Sequence, residues 1–305
     1  MPAIRVENIH KSFKKIKILH GISFTIEKGT VFGLLGPNGM GKSTLIYIMC
    51  GLMKPNQGEV YFNSLSIKKN RRKIMQTTGV QLQESNFFEN LTVSESIDYI
   101  KSLYPKTDVD INELIDILEL NSKKSTLIKN LSGGQKQKLY LIMCIMNDPE
   151  ILILDEPTTG LDIQSRRNVW QLIKQDKAKK KTILITTHYI DEAEALCDEI
   201  AFIDSGRIIA HNTLAGFMKK YENTKVVEFI IDNDIDILTI KKTPGYIDNI
   251  RINSTLIIYI EDKKEYLEKF IVELPEILNL QVKDITVRKA NLEDVYLNLT
   301  GKKFD

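Results

Sequence analysis

The run Gly36-Pro37-Asn38-Gly39-Met40-Gly41-Lys42-Ser43 follows the apolar stretch VFGLL directly and precedes the segment from Thr44 to Cys50 directly. No other feature limits the fold as tightly. The spacing G-x-x-x-x-G-K-[ST] between a buried strand and a helix is that of a P-loop. Glycines let consecutive backbone amides converge on an anion, and the helix N-terminus adds partial positive charge at the same point. Gly36, Asn38, Gly39, Gly41, Lys42, Ser43 and Thr44 are therefore candidate phosphate contacts. Lys42 is expected to supply a full charge to the β- and γ-phosphates, and Ser43 to place its hydroxyl on magnesium.

A strand–loop–helix of this kind belongs in an α/β sheet, and residues 1–220 read that way. Short β-branched runs alternate with helical patterns, and ILILD and TILITTH are apolar almost throughout, as parallel strands covered on both faces should be. Asp155 ends the first of these strands, where a carboxylate can share the ion held by Ser43. Strand signals disappear over about 90–147, and helices are expected there near 93–103, 111–118 and 134–146. After the polar linker Tyr221-Glu222-Asn223-Thr224 the pattern restarts over 225–305 as KVVEFIID, a short mixed segment, YIDNIRI, TLIIYI, a helix near 263–274 and LQVKDITVRK. That order resembles β-α-β-β-α-β, a small α+β module of ferredoxin-like type. The expectation is thus an α/β P-loop domain with a mostly parallel sheet and a helical insert, followed by a small accessory domain.

Composition narrows the partners. Forty-two basic and 40 acidic residues leave a net charge of +2, too weak a field to make nucleic acid the main ligand. Cys50, Cys144 and Cys197 lie far apart without metal-ligand spacing and read as buried apolar filler in a reducing compartment. The N-terminus lacks the apolar core of a signal peptide, and the most apolar run, LYLIMCIM, is too short to span a bilayer. A cytosolic protein that reaches a membrane only through a partner is expected.

Leu131-Ser132-Gly133-Gly134-Gln135, followed about twenty residues later by ILILDEP, separates one P-loop branch from the others. Over roughly the first 220 residues the chain resembles the ATP-binding cassette family. The resemblance implies a subunit that hydrolyses ATP with magnesium to drive a membrane transporter. It makes Gln83 the glutamine-loop residue beside the metal, Glu156 the catalytic glutamate, Gly160-Leu161-Asp162 the D-loop, His188 the switch histidine and Phe13 the aromatic that stacks on adenine. It also implies that Ser132, Gly133, Gly134 and Gln135 close over ATP held by an opposing subunit, in a homodimer or a heterodimer with a related cassette. Ser132 can equally serve as the N-cap of the following helix, and the two roles are compatible.

Three positions depart from the family pattern. Met40 stands where Ala or Ser is usual, with a side chain free to point outward, and Lys138 and Met143 stand where related signature helices carry Arg. The stretches TTGLDIQSRRNVWQLI and TTHYIDEAEALCDEIAFIDSGRIIAHNT, with the tail NLEDVYLNLTG, look like cassettes of drug-, bacteriocin- and lipid-exporting systems. Export through integral membrane permease subunits is the preferred reading. An importer cassette is the nearer alternative, and a soluble cassette acting on DNA or ribosomes the more distant one. Phe87 and Phe88 could contact a permease or pack internally.

Overall fold

The computed structural model describes residues 1–83, 89–104, 109–231, 237–277 and 282–304. Phe87 and Phe88 lie outside them. The chain forms two compact units, Met1–Leu214 and Ala215–Asp305.

The first unit opens on a hairpin, β1 (Ile4–Phe13) and β2 (Ile16–Ile26), before β3 (Val31–Leu35) runs into α1 (Lys42–Met49). Then come β4 (Gln57–Phe62), β5 (Leu65–Ser66), α2 (Ile67–Met75) and β6 (Thr78–Gln81). The helical insert contains α3 (Val93–Ser102), α4 (Ile111–Ile117) and α5 (Gly133–Ile145). The chain returns through β7 (Ile151–Asp155), α6 (Ile163–Ala178), β8 (Thr182–Thr187), α7 (Ile190–Leu196), β9 (Glu199–Asp204) and β10 (Arg207–Thr213).

Six strands form one sheet in the order β10-β9-β3-β8-β7-β6. All of its pairs are parallel except β9 with β10. β3, β7 and β8 are buried at every residue, which explains why their sequences are apolar without alternation. A second sheet, in the order β2-β1-β4-β5, is antiparallel and was not foreseen. Only Lys14 and Lys15 separate β1 from β2, and Lys14 takes the left-handed conformation at φ 54°. So short a connection admits an antiparallel neighbour and no parallel one.

The insert's helices are defined by their caps. Thr92 and Glu95 form a reciprocal capping box on α3, and Asp110 accepts from the backbone N–H of Asn112 and Glu113 at the start of α4. α5 buries every residue from Lys138 to Ile145, so LYLIMCIM is an interior helix. Lys138 keeps its charge paired with Glu119 at 3.5 Å.

The boundary falls after the first residue of α8 (Leu214–Met218), and the second unit continues with β11 (Thr224–Ile231), α9 (Ile237–Lys242), β12 (Tyr246–Ile252), β13 (Thr255–Glu261), α10 (Lys264–Glu268), α11 (Leu274–Ile277), β14 (Val282–Lys289) and α12 (Leu292–Thr300). Its sheet is antiparallel in the order β12-β13-β11-β14, with the two hairpin-distant strands β11 and β13 at the centre. Val227, Phe229 and Ile231 of β11 and Leu256, Ile258 and Ile260 of β13 share one face with Phe270 and Leu274. The single helix expected near 263–274 is divided by a π-helical stretch, Lys269–Glu273. Pro275 has no N–H to return to the carbonyl four residues back, and a wider turn relieves the crowding at that point.

The division after Leu214 falls ahead of the linker expected at 221–224. Tyr221 is buried there, its ring 5.8 Å from that of Tyr259 and its hydroxyl donating to the Asp294 carbonyl at 3.4 Å. Thr224 already begins β11.

Asp294, fully buried, organises this end of the unit. Its carboxylate accepts from Arg288 Nη1 and Nη2 at 2.6 and 2.9 Å, from Tyr259 Oη at 3.0 Å and from Asn291 N at 2.8 Å. Arg288 also donates through Nε to Glu228 at 2.6 Å. Removing the Asp294 carboxylate takes a charge partner from Arg288 and leaves the buried Tyr259 hydroxyl and the Asn291 N–H without their acceptor. Asp294→Ala is expected to destabilise this unit by about 3–5 kcal/mol, read as an earlier transition in urea unfolding of the full chain followed by a probe in residues 215–305. An unshifted transition would show that the pair contributes nothing net.

Candidate nucleotide-binding site

The P-loop leaves the carboxyl end of β3, where β9 approaches closely. A Cβ on Gly36 would lie 2.3 Å from the Ile203 carbonyl oxygen, so only glycine lets the chain turn off the strand there. Gly41 caps α1 at φ 98°, a left-handed conformation that points the first helical amides at the loop's interior. Met40 does not point outward. It packs against the core, and its sulfur accepts a hydrogen bond from Ser205 N at 3.2 Å. A polarizable, unbranched side chain fits that gap, leaving the loop backbone to face the pocket.

A pocket of about 290 Å³ is lined by Phe13, Ile18, Asn38, Gly39, Gly41, Lys42, Ser43, Thr44, Gln83 and Glu156. Nine of these ten were expected as nucleotide or catalytic contacts; Ile18 was missed, and Gly36 of the expected set does not line the pocket. Phe13, 45% exposed at the tip of the β1–β2 hairpin, lines the pocket, with Lys11 Nζ over its ring at 5.2 Å from the centroid.

Glu156 sits at the centre of the site, buried, one residue past β7 and held at φ 50°. Its backbone N–H donates to the Thr186 carbonyl at 3.1 Å, and Gln137 Nε2 donates to its carbonyl at 2.9 Å. Lys42 Nζ lies 3.3 Å from Oε1 and also donates to the carbonyls of Gly36 and Pro37 at 2.6 and 3.1 Å. Oε2 accepts from Thr159 Oγ1 at 3.1 Å and from Gln83 Nε2 at 3.4 Å. His188 Nδ1 lies 3.2 Å from the same oxygen, within ion-pairing range but not aligned as a hydrogen bond. Burial lowers the pKa of Lys42, opposed by the negative charges of Glu156 and Asp155.

Asp155 is fully buried, and burial raises its pKa, against the hydrogen bond from Thr186 that lowers it. Thr186 Oγ1 donates to Oδ1, while Oδ2 is buried without a hydrogen-bond partner. Ser43 Oγ is 3.4 Å from Gln83 Oε1. A carboxylate oxygen left unsatisfied beside a hydroxyl and an amide oxygen is a hard, all-oxygen donor set that suits magnesium. No cluster of three His, Cys, Asp or Glu side chains suited to a metal exists among the described residues, so an ion here would need further oxygens from the nucleotide and water.

Ser132, Gly133, Gly134 and Gln135 do not line this pocket. Ser132 caps α5, accepting from Gln135 N at 3.2 Å, and the Gln135 side chain accepts from Ser132 N at 3.1 Å. Gln135 thus spends its carbonyl oxygen on the cap. Ser132 and Gly133 are exposed, and a Cβ on Gly133 would meet nothing within 4 Å. The signature is a second helix N-terminus, open at Gly133, while a Cβ on Gly134 would lie 3.1 Å from the Leu161 side chain.

A larger cleft, about 1040 Å³, includes Thr77, Tyr104, Glu113, Asp148, Glu150 and Lys179. Thr77 and Glu150 precede β6 and β7, so it lies at the amino ends of the strands. Ligands of open parallel sheets bind at the carboxyl ends, where the P-loop is. Gln137, Thr159 and Thr186 were missed from sequence, since each acts through a neighbour brought in by the fold; only the T-T repeat after Pro157 offered any local sign.

The sequence profile described as ABC transporter matches residues 19–159. The Nod factor export ATP-binding protein I of Rhizobium sp. (strain N33) is 32% identical over 99% of this chain and 98% of its own length. The chain belongs to the ABC transporter family. The linearmycin resistance ATP-binding protein of Bacillus subtilis (strain 168) is similarly related, 31% identical over 98% of both chains. Among solved structures, a dimeric ATP-binding cassette in a post-hydrolysis state bound to ADP and Pi aligns with TM-score 0.63 at 26% identity, covering 69% of this chain and 98% of that one. An ATP-binding subunit of an ABC transporter aligns with TM-score 0.66 at 25% identity, covering 72% of this chain and 93% of that one. This ABC protein is an ATP-binding, ATP-hydrolysing subunit, and cassettes of its family dimerise and work with membrane components. Among the described residues no helix is long and apolar enough to cross a membrane.

The close approach at Gly36 gives a direct test of the loop. Gly36→Ala is expected to cost about 1–3 kcal/mol, the range for overpacking a tight interior, and to weaken ATP binding by at least roughly tenfold. Thermal melting without nucleotide, followed by ATP titration, checks both; parent-like affinity would mean that the loop backbone does not set the phosphate site.

Proposed function

We propose that this protein powers export of a drug-, peptide- or lipid-like molecule by hydrolysing ATP against permease subunits at the inner face of the cell membrane. The observation that carries the catalytic part is the convergence of Lys42, Gln83, Thr159 and His188 on the buried Glu156 carboxylate, beside a pocket walled by the P-loop. Export is supported by the names of the two relatives, which match across nearly the whole chain, including the second unit.

In this reading Phe13 stacks on the base, and the amides of the P-loop, with Thr44 at the start of α1, hold the phosphates. Lys42 leaves Glu156 for the β- and γ-phosphates, because a phosphate supplies more negative charge at the same place. Ser43, Gln83 and Asp155 hold magnesium, which supplies charge neutralisation at the phosphate oxygens. Glu156, freed of Lys42, orients and polarises water for in-line attack. His188 and Gln83 stay within reach of the transferred group and stabilise its charge.

One chain is insufficient for this. The amides of Gly133 and Gly134, with Ser132, cover the γ-phosphate in a second copy, head to tail, and loss of the phosphate contacts after hydrolysis reopens the pair. Gln135 contributes through the cap that fixes Ser132.

Glu156→Gln keeps the size and hydrogen-bonding shape of the side chain but cannot accept the proton of water. Turnover is expected to fall by about 10² to 10⁴-fold, with ATP still bound and a dimer retained on size exclusion in its presence. Unchanged turnover would remove Glu156 as the catalytic base.

A further inference from the structure

His188 is aimed at Glu156, yet its own ring is held by a stack that reaches a different helix. The Tyr189 ring lies 4.2 Å from the His188 ring, tilted by 43°, and the Arg166 guanidinium lies 4.3 Å from the Tyr189 centroid. Arg166 belongs to α6, whose first turn is tied to the loop Gly160-Leu161-Asp162. Asp162 caps the helix, accepting from Ser165 N at 2.9 Å and Ser165 Oγ at 2.8 Å, and the Arg166 N–H donates to the Asp162 carbonyl at 2.9 Å.

Two further observations place the guanidinium's role at the ring. Arg166 Nη1 pairs with Asp191 at 3.1 Å, but Asp191 is 60% exposed, and an ion pair that open contributes little. Arg166 Nε is buried with no hydrogen-bond partner, so the group gives up a solvated donor to keep its position. A cation over a partly buried aromatic ring is the compensating contact.

Nearby, the buried Glu192 accepts from Thr158 Oγ1 at 2.8 Å and from Trp170 Nε1 at 3.0 Å. It joins the segment after Glu156 to the same helix, so α6 is a fixed base for both Glu156 and His188.

We infer that Arg166 is a positioning residue for hydrolysis: through the Tyr189 ring it holds the His188 imidazole toward Glu156. The inference rests on the catalytic reading of His188 given above. A guanidinium stacked on Tyr189 restricts that ring, and the ring blocks the rotamers that would swing His188 away from the phosphate. Arg166 touches neither nucleotide nor water.

The test compares turnover and ATP affinity of the purified full-length chain for Arg166→Met, Arg166→Lys and Tyr189→Ala, each also in a His188→Ala background. Arg166→Met and Tyr189→Ala are each expected to lower kcat by about tenfold, the size of one lost cation–π contact, with ATP affinity and melting temperature near those of the parent. Arg166→Lys, which keeps a cation over the ring, restores most of the loss. In the His188→Ala background neither Arg166→Met nor Tyr189→Ala has a further effect, an outcome that a general loss of stability would not produce. If Arg166→Met lowers turnover equally in both backgrounds, or has no effect while His188→Ala does, the positioning role is overturned and the reading of His188 stands. If His188→Ala itself leaves turnover unchanged, both fall.

Discussion

A carboxylate buried as deeply as Glu156 has to be surrounded by donors, and the rest of the site is arranged around that requirement. Lys42 and Thr159 approach it from the loops after β3 and β7, Gln83 from the segment after β6, and His188 from the end of β8. Four adjacent parallel strands, β3, β8, β7 and β6, thereby deliver their carboxyl ends to one point. The same donors that steady a carboxylate are those that would steady a phosphate. Exchange of one anion for the other needs little rearrangement of the protein, and preorganised donors of this kind are what make electrostatic stabilisation effective.

Much of this was legible in the sequence wherever the constraint is local. The P-loop's glycines, the uniformly apolar β3, β7 and β8, and the cap at Ser132 are all set by residues within a few positions of one another. What escaped depends on distant contacts. Gln137 reaches the Glu156 carbonyl from 19 positions away, and Thr186 meets Asp155 from 31. Met40 turns inward because Ser205 offers it a donor across the sheet. The antiparallel β1–β2 pair was hidden by long strands of mixed burial, and Tyr221 looked like part of a polar linker because its partners lie 38 and 73 positions further on.

The two helix N-termini of the cassette divide the work. α1 begins inside the pocket, whereas α5 begins at the exposed Ser132 and Gly133, its cap closed by Ser132 and Gln135. A helix start exposed in this way gains most from an anion brought to it, since the dipole and the free N–H groups act together. On the proposed reading each chain carries two halves of a phosphate site, and Ser132 to Gln135 do not line the P-loop pocket of their own chain.

Complementation between two disabled chains tests that division most directly. One chain carries Lys42→Ala, which spoils its P-loop, and the other Gly134→Asp, which places a carboxylate at its signature; each alone should be inactive. In an equal mixture the shared-site arrangement regenerates one intact pocket per mixed dimer, and ATP turnover returns. Turnover that stays at the level of the separate variants, with mixed dimers demonstrably formed, would contradict it.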